Sequence, residues 1–148
     1  MDEIKKILVP IDFSENSKKI LQDAVTRAGQ LDAKVMVIYV VEGLEKFAGL
    51  SIPHISLAEF EKELVHSATN KLERFLEENM DPSVAHESKV LNGDIVEKIN
   101  TCAESEGVDM IIMGTHGFKG LEKALFGSVA ERVVKTAPCP VLTINPYK

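Results

Sequence analysis

At 148 residues the chain has the length of one domain, and a single core of that size buries about two thirds of the unfolded surface without disulfides or metals. Its 45% hydrophobic and 27% charged content is that of a soluble globular protein, and no apolar run approaches the ~18 residues a membrane span requires. A net charge of −6 with 17 dispersed Lys and Arg disfavours nucleic acid as a partner, because phosphate neutralisation needs clustered bases.

In chain order, Met1 to Lys6 runs directly into Ile7-Leu8-Val9-Pro10-Ile11-Asp12, an apolar run ending in a carboxylate. It reads as a buried parallel strand, and with no separate apolar leader before it a cytoplasmic location is expected. Ser14 is placed to cap a first helix, whose apolar residues Ile20, Leu21, Ala24, Val25, Ala28 and Leu31 recur at helical spacing. Ala33 to Val41, rich in β-branched residues, predicts a second buried strand. The connection from Gly43 to Pro53 is longer and less patterned than the usual two to six residues, as a mobile flap would be.

Ser56 with Glu59 has the side chains of a capping box, so a helix should begin near Leu57, with Leu57, Phe60, Leu64, Ala68, Leu72, Phe75 and Leu76 as its core face. Val84 to Leu91 mixes polar and apolar residues as an edge strand does, and Asp94 with Glu97 predicts a helix start near Ile95. Val108 to Met113 is a fourth, nearly all apolar strand; a last helix starts near Val129, and Val141-Leu142-Thr143-Ile144 forms a short fifth strand between Pro140 and Pro146. Alternating strands and helices imply right-handed crossovers, giving an α/β, doubly wound, five-stranded, mainly parallel sheet with helices on both faces. No repeat, linker or low-complexity tract supports a second domain, so residues 1–148 are read as one. Cys102 and Cys139 are far apart in apolar surroundings and are expected to be buried, reduced thiols.

Chemistry concentrates after the fourth strand, where Gly114-Thr115-His116-Gly117 is followed by nine residues and then Gly127-Ser128. Glycines let a backbone approach a ligand closely, and a strand, glycine loop and helix start together aim N–H groups at an anion. The pattern is neither of two familiar phosphate loops: no Gly-Lys-Ser or Gly-Lys-Thr occurs, and Gly114, Gly117 and Gly120 fall three apart rather than as G-x-G-x-x-G. Asp12, Val40, Val41 and the Gly114 loop all lie at carboxyl ends of strands, where doubly wound sheets bind ligands.

These residues resemble the universal stress protein family, specifically its ATP-binding branch, whose signature G-x-x-G-x9-G-(S/T) is matched by Gly114, Gly117, Gly127 and Ser128. The likeness runs from Ile7-Leu8-Val9-Pro10-Ile11-Asp12-Phe13-Ser14 to Ala137-Pro138-Cys139-Pro140-Val141-Leu142. The resemblance implies a Rossmann-like fold and an adenine nucleotide as ligand. Asp12 would contact ribose or adenine, Pro10 and Ile11 would shape the pocket floor, Val40 would pair its backbone with adenine, and Met113 would pack near base or sugar. Each has a plainer reading: Asp12 as a helix cap, Val40 and Met113 as core.

Gly114, Gly117, Gly127, Ser128 and Val129 would surround the phosphates, with Ser128 doubling as the cap of a box completed by Glu131. Thr115, His116 and Lys119 occupy the loop's tip, where Lys119 or a protonated His116 would meet a β- or γ-phosphate if they are not simply solvated; solvation is the preferred reading for His116, and Lys119 is evenly balanced. ATP is the implied ligand, with ADP and AMP left open, and Mg²⁺ is expected with it. No Walker-B carboxylate or catalytic-loop spacing is recognisable and the four histidines lack metal-ligand spacing, so at most slow hydrolysis is expected and no metal ligands are assigned.

Two functional classes follow. One is a nucleotide-dependent switch or regulator in stress response; the other is a dimeric scaffold or chaperone-like protein independent of nucleotide. The uncovered edge strand Val141 to Ile144 invites a homodimer in either case, and the resemblance implies antiparallel pairing there.

Overall fold

The computed structural model describes residues 3–42, 56–116 and 127–148. Strand β1 (Lys6–Pro10) is followed by α1 (Glu15–Leu31), β2 (Lys34–Val41), α2 (Leu57–Asn79), β3 (His86–Asn92), α3 (Ile95–Ser105), β4 (Met110–Gly114), α4 (Ser128–Thr136) and β5 (Val141–Ile144). The five strands form one sheet in the order β3-β2-β1-β4-β5, and all four neighbouring pairs are parallel.

Strand alternation divides the core into two layers. Ile7, Val9, Val35, Val37 and Ile112 face one side, packed by Ile20, Leu21, Ala24 and Ala28 of α1 and Leu72, Phe75 and Leu76 of α2. Leu8, Met36, Ile38, Val40, Ile111 and Met113 face the other, packed by Val96, Ile99, Cys102 and Ala103 of α3 and Ala130 and Val133 of α4. Because β1, β2 and β4 are covered on both faces, their sequences are nearly continuous apolar runs.

The winding runs outward from β1 to β3, then returns across the sheet to β4 on the other side of β1. This reversal is the topological switch point, and it separates the carboxyl ends of β1 and β4 into a crevice. The register places Ile7 opposite Met110 and Leu8 opposite Ile111, so Pro10 and Gly114 end the two strands side by side.

Several local expectations change. The strand expected from Val84 begins at His86, because Asp81 to Val84 form a turn in which the Val84 amide reaches the Asp81 carbonyl. Leu31 and Leu57 are exposed rather than core, and Phe60, Leu64 and Ala68 are only partly buried. A 23-residue helix is about 35 Å long at 1.5 Å per residue, whereas the seven residues of β3 span about 23 Å, so α2 outruns the sheet that would bury its first turns. Cys102 is buried but Cys139 only half-buried, and both are free thiols. The connection from Gly43 to Pro53, expected as a flap, lies outside the described residues. Among them, no helix is long and apolar enough to cross a membrane.

Candidate functional site

At the switch point lies a cavity of about 400 Å³, a volume within the range of small-molecule sites. The end of β1 contributes Pro10, Ile11 and Asp12, and the end of β4 contributes Met113 and Gly114. The start of α4 contributes Gly127, Ser128 and Val129, and α3 adds Ile95 and Ile99 as an apolar wall.

Asp12 is held by a network with the start of α1. Its Oδ1 accepts from the Ser14 amide and from Ser17 Oγ, both at 2.9 Å, while its own amide donates to Ser17 Oγ at 3.1 Å. Ser17 is buried, and this reciprocal pair satisfies its hydroxyl. Ser14 sits at the cap position of α1, but its own hydroxyl makes no capping bond; Asp12 accepts from the Ser14 amide just before the helix. Asp12 thus lines the cavity and braces the entry to α1 without capping the helix, whose cap is Ser14.

The glycine turn is anchored at both ends. Thr115 donates its amide to the Ile144 carbonyl of β5 at 2.9 Å and accepts at its own carbonyl from the Gly127 amide at 2.7 Å. Gly127, not Ser128, is the cap of α4; Ser128 is its first residue, so the expected capping box with Glu131 is absent. Glu131 instead pairs with Lys135 at 2.9 Å, one turn on. Gly127 brings no side chain to the helix start, and among the described residues the acidic side chain of the first turn, Glu131, is the one engaged by Lys135.

The start of α3 is the opposite case. The Ile95 amide donates to Glu42 Oε2 at 3.2 Å and the Glu97 amide to Asp94 Oδ2 at 3.0 Å, so carboxylates of the protein already occupy that helix end. Asp12 and Glu42 thus bring negative charge to the cavity lining, while Gly127, Ser128 and Val129 bring the positive end of the α4 dipole to it. A ligand with hydroxyls at one end, phosphates at the other and a flat apolar part against Ile95, Ile99 and Met113 matches this lining.

Most of the residues singled out from sequence converge here. Pro10, Ile11, Asp12, Met113, Gly114, Gly127, Ser128 and Val129 all line the cavity. Val40 is buried in the α3/α4-side core, paired with Leu91 of β3, and is not among the lining residues. Gly117 and Lys119 lie outside the described residues. Thr115 and His116 are buried rather than solvated, with His116 only 3% exposed. His116 Nδ1 lies 2.8 Å from Thr115 Oγ1, its carbonyl receives Asn16 Nδ2 at 3.5 Å, and its ring packs 5.4 Å from that of Tyr147. The burial follows from position: residues 115 and 116 continue directly from β4 under the chain's last turn.

Sequence reading missed Glu42, Ser17, Ile95 and Ile99. Glu42 follows β2 as Asp12 follows β1, so the same strand-end logic points to it. Ile95 and Ile99 fall on the helical repeat that also buries Cys102, and Ser17 sits one turn into α1, where only the folded turn reveals its bond to Asp12.

Comparison with known proteins agrees with this architecture. Residues 3–145 match the Universal stress protein family. Universal stress protein MJ0531 of Methanocaldococcus jannaschii is 38% identical over 146 residues, covering 97% of this chain and 84% of that protein. Universal stress protein MJ0577 of the same organism is 34% identical; its solved structure superposes with a TM-score of 0.81 and covers 97% of each chain. The universal stress protein of Archaeoglobus fulgidus in complex with dAMP shares the fold at 21% identity, with a TM-score of 0.60 and coverage of 97% of this chain and 100% of that one. The chain belongs to the universal stress protein family.

Proposed function

We propose that this protein binds ATP at the switch-point cavity and acts as a nucleotide-dependent switch or regulator in stress response, with at most slow hydrolysis. The observation that carries the reading is the meeting of Asp12 with the glycine-capped start of α4 across one cavity, a hydroxyl acceptor facing a helix N-terminus suited to phosphate. The A. fulgidus family member in complex with dAMP supports an adenine nucleotide as the ligand class. In this reading Asp12 receives ribose hydroxyls, Met113 and the α3 wall flank the base, Val40 offers its backbone to adenine, and Gly114, Gly117, Lys119, Gly127, Ser128 and Val129 surround the phosphates. Among the described residues no cluster of three His, Cys, Asp or Glu is placed to hold a metal, so Mg²⁺ would arrive on the triphosphate. The working location is the cytoplasm.

The test is to identify nucleotide released from freshly purified protein and to titrate ATP with Mg²⁺ by calorimetry. Micromolar binding and a ligand-dependent rise in melting temperature are expected. No bound nucleotide and no heat of binding would sink the proposal.

A second reading, a dimeric scaffold independent of nucleotide, is favoured by one feature: β5 forms one edge of the sheet with all four residues half-buried. An edge with unpaired backbone groups favours joining a second copy through Val141 to Ile144, and a homodimer is part of both readings. Light scattering at micromolar concentration should give twice the chain mass. The scaffold alone is left if ATP does not change the melting temperature.

A further inference from the structure

Phe13 follows Asp12 directly and takes a left-handed backbone with φ +65°. Among the described residues only Asp32 shares that conformation without being glycine, and Asp32 ends α1, where Asn and Asp commonly adopt it. For a bulky aromatic residue it is a strained choice, and such strain persists only where surrounding structure enforces it.

The enforcement is visible on the α1/α2 side of the sheet. The Phe13 ring stacks on Tyr39 of β2 at 4.5 Å between centroids and 28° between planes, and meets Phe75 of α2 edge-on at 6.0 Å. Lys71 Nζ lies 4.8 Å from the ring centroid. Three side chains from two other elements thus grip a residue whose backbone would otherwise relax.

Phe13 joins the α1/α2 core, and Asp12 lines the cavity. The left-handed residue then turns the chain within one step, so that the Ser14 amide and Ser17 hydroxyl return to Asp12 Oδ1. We infer that Phe13 is a positioning residue: its ring, clamped by Tyr39, Phe75 and Lys71, holds residue 13 left-handed and thereby fixes the Asp12 carboxylate toward the ligand. This deepens the nucleotide reading and rests on it.

The experiment separates backbone conformation from ring packing. Phe13→Gly removes the ring but enters the left-handed region freely, whereas Phe13→Val removes the ring and, being β-branched, resists it. Both should lower the melting temperature through lost stacking. Calorimetric ATP affinity should split them: Phe13→Gly within about threefold of wild type, Phe13→Val weaker by about tenfold or more, the loss expected when a charged hydrogen-bond partner is misdirected. If Phe13→Val does not fold, Phe13→Asn against Phe13→Ala makes the same comparison, since Asn adopts the left-handed region far more readily than Ala. Equal affinity in the matched pair, or affinity falling in both in step with melting temperature, overturns the inference while wild-type binding stands. Failure of the wild-type protein to bind ATP overturns the nucleotide reading and this inference with it.

Discussion

The amide of Gly127 lies 2.7 Å from the carbonyl of Thr115, and a Cβ built on Gly127 would sit 2.8 Å from that same oxygen. Gly127 has φ −71° and ψ 150°, a conformation any residue adopts, so what demands glycine here is the close approach of two backbones.

Gly127→Ala should therefore force the start of α4 away from β4. A loss of about 1 to 3 kcal/mol in unfolding free energy is expected, the usual range for overpacking. Gly114→Ala should cost less, because its Cβ would meet the flexible end of Ile20 and the His116 carbonyl at 3.2 Å rather than a backbone oxygen at 2.8 Å. Urea denaturation of the two variants checks the order, and a larger loss for Gly114→Ala would contradict it.

Asp12 has two separable duties. Asp12→Asn keeps an oxygen for the Ser14 amide and Ser17 hydroxyl but removes the charge, so stability should stay near wild type while ATP affinity falls about tenfold. Asp12→Ala should also lose about 1 to 3 kcal/mol of stability, because the buried Ser17 hydroxyl is left without its acceptor. Thermal melts beside calorimetric titrations of both variants decide the matter; equal ATP affinity in Asp12→Asn and wild type would remove the carboxylate from the binding role.

Glu42 both holds the start of α3 and adds negative charge to the cavity. Glu42→Gln keeps an acceptor for the Ile95 amide while removing the charge. ATP should then bind more tightly, by about threefold at low ionic strength, with the gain fading as salt screens it. Titrations at two salt concentrations give the answer, and unchanged affinity at low salt would show that the Glu42 charge does not reach the phosphates.

At the other end of the sheet Lys6 joins Glu87 of β3 at 3.2 Å and Glu106 after α3 at 3.3 Å, while Lys34 also meets Glu87 and Lys89 meets Glu106. Hydrogen bonds from Lys34 and Lys6 lower the Glu87 pKa, and those from Lys89 and Lys6 lower that of Glu106, from an ordinary 4.5. Burial pulls Lys6 down, but its bonds to the two glutamates outweigh this and leave it raised from 10.5. Depressed carboxylates contribute stability that is complete above their unfolded value and lost as pH falls through the folded one; a raised lysine contributes stability complete below its unfolded value and lost as pH rises through the folded one. Lys6→Met should therefore be less stable than wild type across neutral pH, and the gap should close as pH falls below 4.5. Urea midpoints from neutral pH to about pH 3 test it, the lower limit lying beneath the usual carboxylate range. A gap that persists in acid would mean Lys6 acts through packing.

The sequence by itself determined which segments become strands and helices, because those signals are local. The apolar runs around Ile7 and Val35 can only be buried on both faces, and Ser56 and Asp94 start α2 and α3 with the side-chain caps expected of them. Strand ends and the glycine spacing also marked out eight of the 18 residues that line the cavity, since Asp12 and Gly114 carry their positions in the chain. Tertiary structure alone decided what those ends face. The order β3-β2-β1-β4-β5 sets β1 beside β4, and this pairing across a hundred residues is invisible to any local period. It buries His116 under Tyr147, exposes Leu57 where α2 outruns the sheet, gives the α4 cap to Gly127 rather than Ser128, and enlists Glu42 and Phe13. Each of these outcomes depends on which backbone or ring arrives from a distant segment, a packing relation that no residue's own propensity encodes.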